Sequence, residues 1–519
     1  MSRTSVSSDT TRAMSSEEDR ALPVTPNNDL ERGRQVDRID IPNEKKVSSD
    51  MVDWDGPDDP ANPQNWSHRM KVRVTLLYGL TTACATFSSS IFSAASQFVA
   101  RDYGISTEVS ILGLSLFLLG FTVGPVLFAP VSEVYGRKIA LVIPMFIFIC
   151  FSAATATAEN IQTIFITRFF GGTFSSAPVT IVGGGLADIW NQRERGSAIV
   201  IYSLCIVGGP TLAPVIGSAV STSYLTWRWT EYLIVILTSF VLILDIFFLP
   251  ETSSAVILTR KARRLRLSTG RWALHSKHEE TDHSLKTFVR KNLVLPLRML
   301  VGEPMVTLIT TYNAFAYGVL YLLFASIPII FEEDRGWKPV PGSLPNLATL
   351  VGTLLAALLN FLYAEFAFAK YMDKHDGKAP PEQRLPPMML GSILFPIGFF
   401  IIGWTSKPSI HWFPSLVGLV FIGMSFLLIF QAGINYLIDA YTKNSASAVA
   451  ANTFNRSLVG AALPLVAQPL FHNLGVDWAC TLLGCLAVLL GGTPFLFYKY
   501  GARLRARSHL AQSSQSKQA

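Results

Sequence analysis

"GPVLFAPVSEVYGRKIALVIP", residues 124–144, is a charged turn set between two apolar runs. No charged residue occurs from Val109 to Ser132, and none from Ile139 to Ala158. A bilayer core takes about 20 apolar residues of helix, so each run is long enough to cross one. Glu133, Arg137 and Lys138 then lie at one membrane face, in a tight connection between two spans.

Working outward, runs of this kind recur twelve times, at about 72–94, 108–130, 139–158, 162–184, 197–220, 231–249, 305–330, 345–366, 387–405, 413–435, 447–471 and 478–498. Half of the 519 residues are hydrophobic, only 15% are charged, and mean hydropathy is +0.36. Soluble domains carry about 25% charge. The expected fold is therefore an all-α membrane protein of twelve transmembrane helices. Gly171, Gly172 and Gly183 to Gly185 on span four are small residues that let helices approach closely in lipid. Cys84, Cys150, Cys205, Cys480 and Cys485 all fall inside apolar runs and read as core residues, not as a disulfide framework or a metal site. Residues 1–70 are rich in Ser, Asp, Glu, Arg and Pro and read as a disordered tail, with a second tail at 500–519. No cleavable signal segment opens the chain, so the run near Val72 is expected to act as an uncleaved anchor.

The connections on one side carry Arg137, Lys138, Arg193, Arg195, a dense run from Arg260 to Arg298, Lys370, Lys374, Lys378, Arg384 and Lys443. Those on the other side carry Arg101, Arg228, Arg335, Lys338 and Lys407. The positive-inside rule then places both termini in the cytoplasm, and the net charge of +7 reads as topology rather than nucleic-acid binding. The Asn65-Trp66-Ser67 sequon falls on that same side, out of reach of glycosylation. The longest connection, 251–303, divides the spans into six-helix halves at 71–250 and 304–499. "SLCIVGGPTLAPV" on span five has a weak echo in "SLVGAALPLVAQP" on span eleven, as duplicated halves would show.

Glu133, Gly136, Arg137 and Lys138 resemble the loop signature of the major facilitator superfamily, with departures at Ala129 and Val134. "TRFFGGTFSSAP" (167–178) resembles its span-four signature, and "GGPTLAPVIG" (208–217) the Gly-Pro antiporter signature of span five. "DDPANPQNWS" (58–67), "LPETSSAVIL" (249–258) and "NYLIDAY" (435–441) resemble the fungal twelve-span drug:proton antiporters. The resemblance covers about 55–500. It implies a proton-driven exporter of amphipathic organic compounds, such as drugs, toxins or secondary metabolites, at the plasma membrane. Its partners would be a small-molecule substrate, protons and the lipid bilayer. It would act as a monomer, with no nucleic acid and no cofactor beyond the proton gradient. A nutrient or polyamine uptake carrier of the same fold is the alternative. A membrane enzyme or receptor fits less well, because no His lies mid-span and no acid cluster is visible there.

Arg168 is the only charge between Ile161 and Leu186. An Arg within a span costs about 2.5–3.5 kcal/mol on insertion scales, so it needs a partner or a wet cavity, or it must snorkel to the nearer face. The resemblance implies that it lines the cavity and senses protonation. It also implies a gating latch in which Arg137 pairs with Asp188 while Glu133 faces the start of span eleven, where Ser445 or Ser447 offers a cap. Gly208, Gly209, Pro210 and Pro214 make span five thin and kinkable. Gln97, Tyr202, Tyr312, Asn313, Tyr317, Tyr321, Gln431, Asn435, Asn452 and Arg456 are substrate-cavity candidates, since a few polar groups among aromatics suit an amphipathic ligand. Asp245 in span six and Asp439 beyond span ten are the carboxylates open to a proton-carrying role; Asp245 could equally face headgroups. "HSKHEETDH" (275–283) has metal-like spacing but lies in a hydrophilic connection without cysteine. The basic run 260–266 is expected to touch anionic lipid, and no phosphate-binding Gly-Lys-Ser/Thr loop is present.

Overall fold

The structure, a computed structural model, describes residues 50–191, 194–280, 290–375, 379–506 and 508. Leaving aside one-turn segments, thirteen helices follow one another among the described residues. The first six are α1 (His68–Tyr103), α2 (Thr107–Tyr135), α3 (Arg137–Ala156), α4 (Ile161–Ile189), α5 (Arg195–Ser221) and α6 (Arg228–Phe248). The connection that follows holds α7 (Ser254–Thr269) and α8 (Leu295–Gly302). Then come α9 (Pro304–Pro328), α10 (Asn346–Leu362), α11 (Pro386–Thr405), α12 (Phe413–Ala440) and α13 (Ser445–Arg505).

Twelve of the resulting segments are long enough to span. At 61 residues α13 would run to about 90 Å if straight, some three bilayer cores. Gly475, at φ 78° and ψ 158°, breaks it, and a residue with a side chain adopts that conformation only with strain. Spans eleven and twelve are therefore the two arms of α13. The opening turn is made the same way: Gly136, at φ 102°, ends α2 and starts α3. Ser106 caps α2 by accepting from the Val109 N–H, and Asn160 caps α4 by accepting from Thr163. α4 is the span richest in Gly, Ser and Thr, and this is what lets it touch α2 backbone to backbone. A Cβ on Gly172 would run into the Phe117 backbone, and one on Gly120 would meet the Phe169 carbonyl.

Hydrogen bonds at the helix ends sort the connections onto two faces. On one, called here the linker face, Arg137 meets Glu251, Tyr441 donates to Glu303 at 3.0 Å, and Arg505 pairs with Glu382 at 2.8 Å. On the opposite face Trp227 donates to Asp102 at 2.7 Å, Arg335 donates to the Thr405 and Ile410 carbonyls, and His472 meets Glu333 at 2.9 Å.

One expectation is corrected here. Disorder was expected over 1–70, but residues 50–67 are ordered against the connection between α6 and α9. Val52 N–H donates to His275 O, and His275 N–H to Asp50 O. Lys261 on α7 reaches Asp55 at 2.6 Å and Asp59 at 3.7 Å. The backbone N–H groups of Asp55 and Ala61 hold the Asp59 carboxyl below its usual range. The Ala273 carbonyl and Glu280 raise the His275 pKa. Composition missed this segment because turns and ion pairs order it, with little apolar burial. The Asn65 side-chain amide donates to Pro57 O and Asp59 O. His283, Arg193 and Lys378 lie outside the described residues.

Candidate transport site

Arg168 does not snorkel. Its side chain is 2% exposed, and its guanidinium is shared among three neighbouring helices. Nη1 pairs with Glu231 of α6 at 3.2 Å, Nε donates to Gly113 O of α2 at 3.2 Å, and Nη2 donates to Ser88 O of α1 at 3.1 Å. The rings of Phe92 and Phe117 lie 4.9 and 4.3 Å from its central carbon. Glu231, itself 1% exposed, is a site residue that the sequence reading missed. Asp245 lies fourteen residues further along α6, about 21 Å away along the helix axis. It is fully buried; one carboxyl oxygen accepts from Thr81 at 2.6 Å and the other has no partner among the described residues. Asp439 is taken by Arg384 at 2.8 Å on the linker face.

The turn of the opening stretch is built around two carboxylates. Arg137 Nε pairs with Asp188 Oδ2 at 3.0 Å, and Nη1 donates to Ser132 at 2.7 Å. Glu251, just past the end of α6, accepts from the N–H groups of Arg137, Lys138, Thr252 and Ser253. Lys138 Nζ donates to Ile246 O at 2.8 Å. Glu251 was not singled out from the sequence, although it sits in the quoted 249–258 stretch. These contacts join parts of the first half to one another and to the start of the connection that follows it. The contact toward the second half falls to Glu133, which lines one cleft of about 640 Å³ with Ala446 and Ser447 in the first turn of α13.

On α5 the glycines and prolines have separate effects. Pro214 has no N–H, so Pro210 O loses its helical donor, and Ser90 of α1 supplies a replacement at 2.7 Å. Gly209 faces α1 so closely that a Cβ would sit 2.5 Å from Thr86 Oγ1 and 2.8 Å from Ala83 O. Gly208 faces the other way, with only Leu350 of α10 at 3.9 Å.

Of the cavity candidates, five converge. Asn313, Tyr317 and Tyr321 form one stripe of α9, and Asn452, Arg456 and Gly460 form the matching stripe of α13. Asn313 donates to Asn452 at 3.0 Å, and Arg456 lies over the Tyr317 ring at 4.7 Å. Tyr317 donates to Tyr321 at 3.3 Å, and Tyr321 meets Ser89 of α1 at 2.7 Å, bridging the halves. The other candidates stand apart. Tyr312 bonds Ser392, Gln431 accepts from Asn360, and Tyr202 donates to Val179 O. Asn435 is half-buried further along α12. Gln97 lines a cleft of about 690 Å³ at the opposite face, with Pro214, Phe324, Glu332 and Gln468. The central layer of tyrosines thus closes the space between two clefts.

Twelve spans, a charged turn after the second, and buried polar groups between two clefts define a solute transporter of the membrane. The chain belongs to the major facilitator superfamily, whose family model matches residues 78–464. It is 44% identical over 473 residues to the efflux pump bik6 of Gibberella fujikuroi, covering 91% of this chain and 97% of the relative. It is 43% identical to the citrinin biosynthesis cluster transporter mrr1 of Monascus ruber, covering 93% and 96% of the two chains. It is also 43% identical to the multidrug transporter FLU1 of Candida albicans, covering 89% and 76%. The proton:xylose symporter XylE shares the fold at a TM-score of 0.62 and 16% identity, over 84% of this chain and 96% of that one.

Proposed function

We propose that this transporter is a proton-driven antiporter that exports amphipathic organic compounds across the plasma membrane, with both termini in the cytoplasm. The names of its relatives, an efflux pump and a multidrug transporter among them, support the direction of transport. The observation that carries the coupling is the Arg168–Glu231 pair, buried at 2% and 1% exposure and tying α4 to α6.

Glu231 lies in the first turn of α6, at the face the basic-residue asymmetry assigns to the outside. A proton arriving there neutralises Glu231 and releases Arg168 onto its two carbonyls and two rings. Breaking a buried pair costs about 3–5 kcal/mol. One pH unit supplies about 1.4 kcal/mol, and 100 mV of membrane potential about 2.3 kcal/mol per charge. A proton gradient of ordinary size is therefore on the scale needed to switch this pair. Asp245, buried near the other face, is the second acid on the same helix and a station for proton release.

The test is export of a fluorescent amphipathic dye from intact cells. Export should collapse when a protonophore is added at constant ATP, and Glu231→Gln should abolish uphill export while leaving protein at the membrane. Export that survives the protonophore would overturn the antiport reading.

A further inference from the structure

Arg456 is as deeply buried as Arg168, at 3% exposure, but no carboxylate among the described residues pairs with it. Arg168 has a carboxylate and two carbonyls. Arg456 has two ring faces, Tyr317 at 4.7 Å and Phe430 at 5.0 Å, and no ion pair or hydrogen bond among the described residues. The groups beside it are also short of partners. Among the described residues, the Asn313–Asn452 contact leaves the Asn452 Nδ2 donor and the Asn313 Oδ1 acceptor without a partner, and Ser457 Oγ has none. Asn452 stands one turn from Arg456 on the same face of α13, and both meet the α9 stripe. The place is therefore rich in unused donors and walled by aromatic faces. A buried charge with no counter-charge is costly, and the described residues supply none here.

We propose that Arg456, with Asn452 and the rings of Tyr317 and Phe430, holds the acidic group of the cargo, so that the exported compounds are aromatic or similarly flat organic monoanions. This rests on the transport reading above and adds the substrate's chemical class. A planar guanidinium offers a carboxylate two parallel N–H donors, and the rings on either side receive the flat body. Along α13 Asn452 and Arg456 lie between Ala450, which lines the linker-face cleft, and Gln468, which lines the opposite one. On α9, Tyr321 and its bond to Ser89 stand one turn beyond Tyr317 toward the opposite cleft, so a ligand entering from that side must part them to reach the site, and occupancy from that side is linked to opening of the central layer.

The test uses purified full-length protein and a panel of naphthoic, anthracene-carboxylic and biphenyl-carboxylic acids, each with its primary amide. Binding is measured by calorimetry at neutral pH. The acids should bind at least tenfold tighter than their amides. Arg456→Gln should erase that preference while leaving amide affinity within about twofold, and Arg456→Lys should keep part of it. In the unaltered protein, acid binding should weaken as pH falls through the ligand's own carboxyl pKa, while amide binding stays flat. Equal affinity for acid and amide, no binding by any acid of the panel, or equal loss of both in Arg456→Gln overturns the proposal. Proteoliposomes with an imposed pH gradient separate the two readings. Acids that bind but are not moved uphill defeat the export reading alone. Amides moved uphill with no acid preference defeat the anion site alone.

Discussion

Replacing Glu231 by Gln keeps the shape of the Arg168 site and removes one charge. At 3.2 Å and an effective dielectric near 20, the lost attraction is about 5 kcal/mol. Measured losses for breaking buried pairs are about 3–5 kcal/mol. Arg168 keeps its bonds to Gly113 O and Ser88 O and its two rings, each ring contributing about 0.5–2 kcal/mol, so the lower end applies. Glu231→Gln should therefore destabilise the protein by about 3 kcal/mol in equilibrium unfolding from mixed micelles, followed by tryptophan fluorescence. Arg168→Met strands Glu231 in turn. The double change Arg168→Met with Glu231→Gln should cost at least 2 kcal/mol less than the two single losses summed, because neither charge is left alone. Arg168→Lys should reach the membrane but export poorly. Three acceptors on α1, α2 and α6 are served by three separate nitrogens of one rigid fork, which an ammonium cannot copy. Arg168→Ala should be inactive. Additivity of the single losses within about 0.5 kcal/mol, or a Glu231→Gln protein as stable as the parent, would refute the account of the pair.

Arg137→Ala and Asp188→Ala should each lower dye export several-fold, with the double change worse by less than the product. The pair, at 15% and 25% exposure, is partly wet and worth about 1 kcal/mol, and fully multiplicative losses would mean that it does not act as a unit. Gly209→Ala should destabilise by about 1–3 kcal/mol through overpacking against Thr86 and Ala83, whereas Gly208→Ala, with 3.9 Å to spare, should be tolerated; equal behaviour in unfolding assays would contradict the geometry. A cysteine at Ser268, exposed on α7, should react with an impermeant maleimide only after cells are opened, and labelling of intact cells would invert the topology.

The spans and the charged turn were legible because both depend on local facts: run length, the absence of charge, and a glycine where the chain reverses. Arg168 was legible as a problem, since an isolated charge in an apolar run must find something. Its answer was not legible. Glu231 is 63 residues away and opens the run 231–249, so it reads as a loop charge at a helix end. Only the packing of α4 against α6 makes it a buried partner. Glu251 was hidden differently: its four N–H donors come from two connections that meet only once α2, α3 and α6 are assembled. Arg456 shows the reverse case, where the residue was visible and its lack of a partner was not.

Span five shows how far such reasoning can go from sequence. Pro214 has no N–H, so the carbonyl four residues before it, that of Pro210, must take a donor from elsewhere or stay unpaired in lipid. That much follows from the order of residues alone. The donor has to be a short hydroxyl on a helix close enough to reach, and closeness is what Gly209 provides by removing a Cβ toward α1. α1 carries hydroxyls at Thr81, Thr82, Thr86, Ser88, Ser89, Ser90, Ser93 and Ser96. Ser90 is the one at the right height, and it fills the gap at 2.7 Å. The Gly-Pro stretch and the hydroxyl ladder of α1 are therefore one device written on two helices. Ser90→Ala should leave Pro210 O orphaned and cost about 1–3 kcal/mol, while Ser90→Thr, which keeps the hydroxyl, should cost less. If alanine and threonine at 90 unfold alike in micelles, the proline carbonyl is satisfied by some other group and the two helices are not coupled in this way.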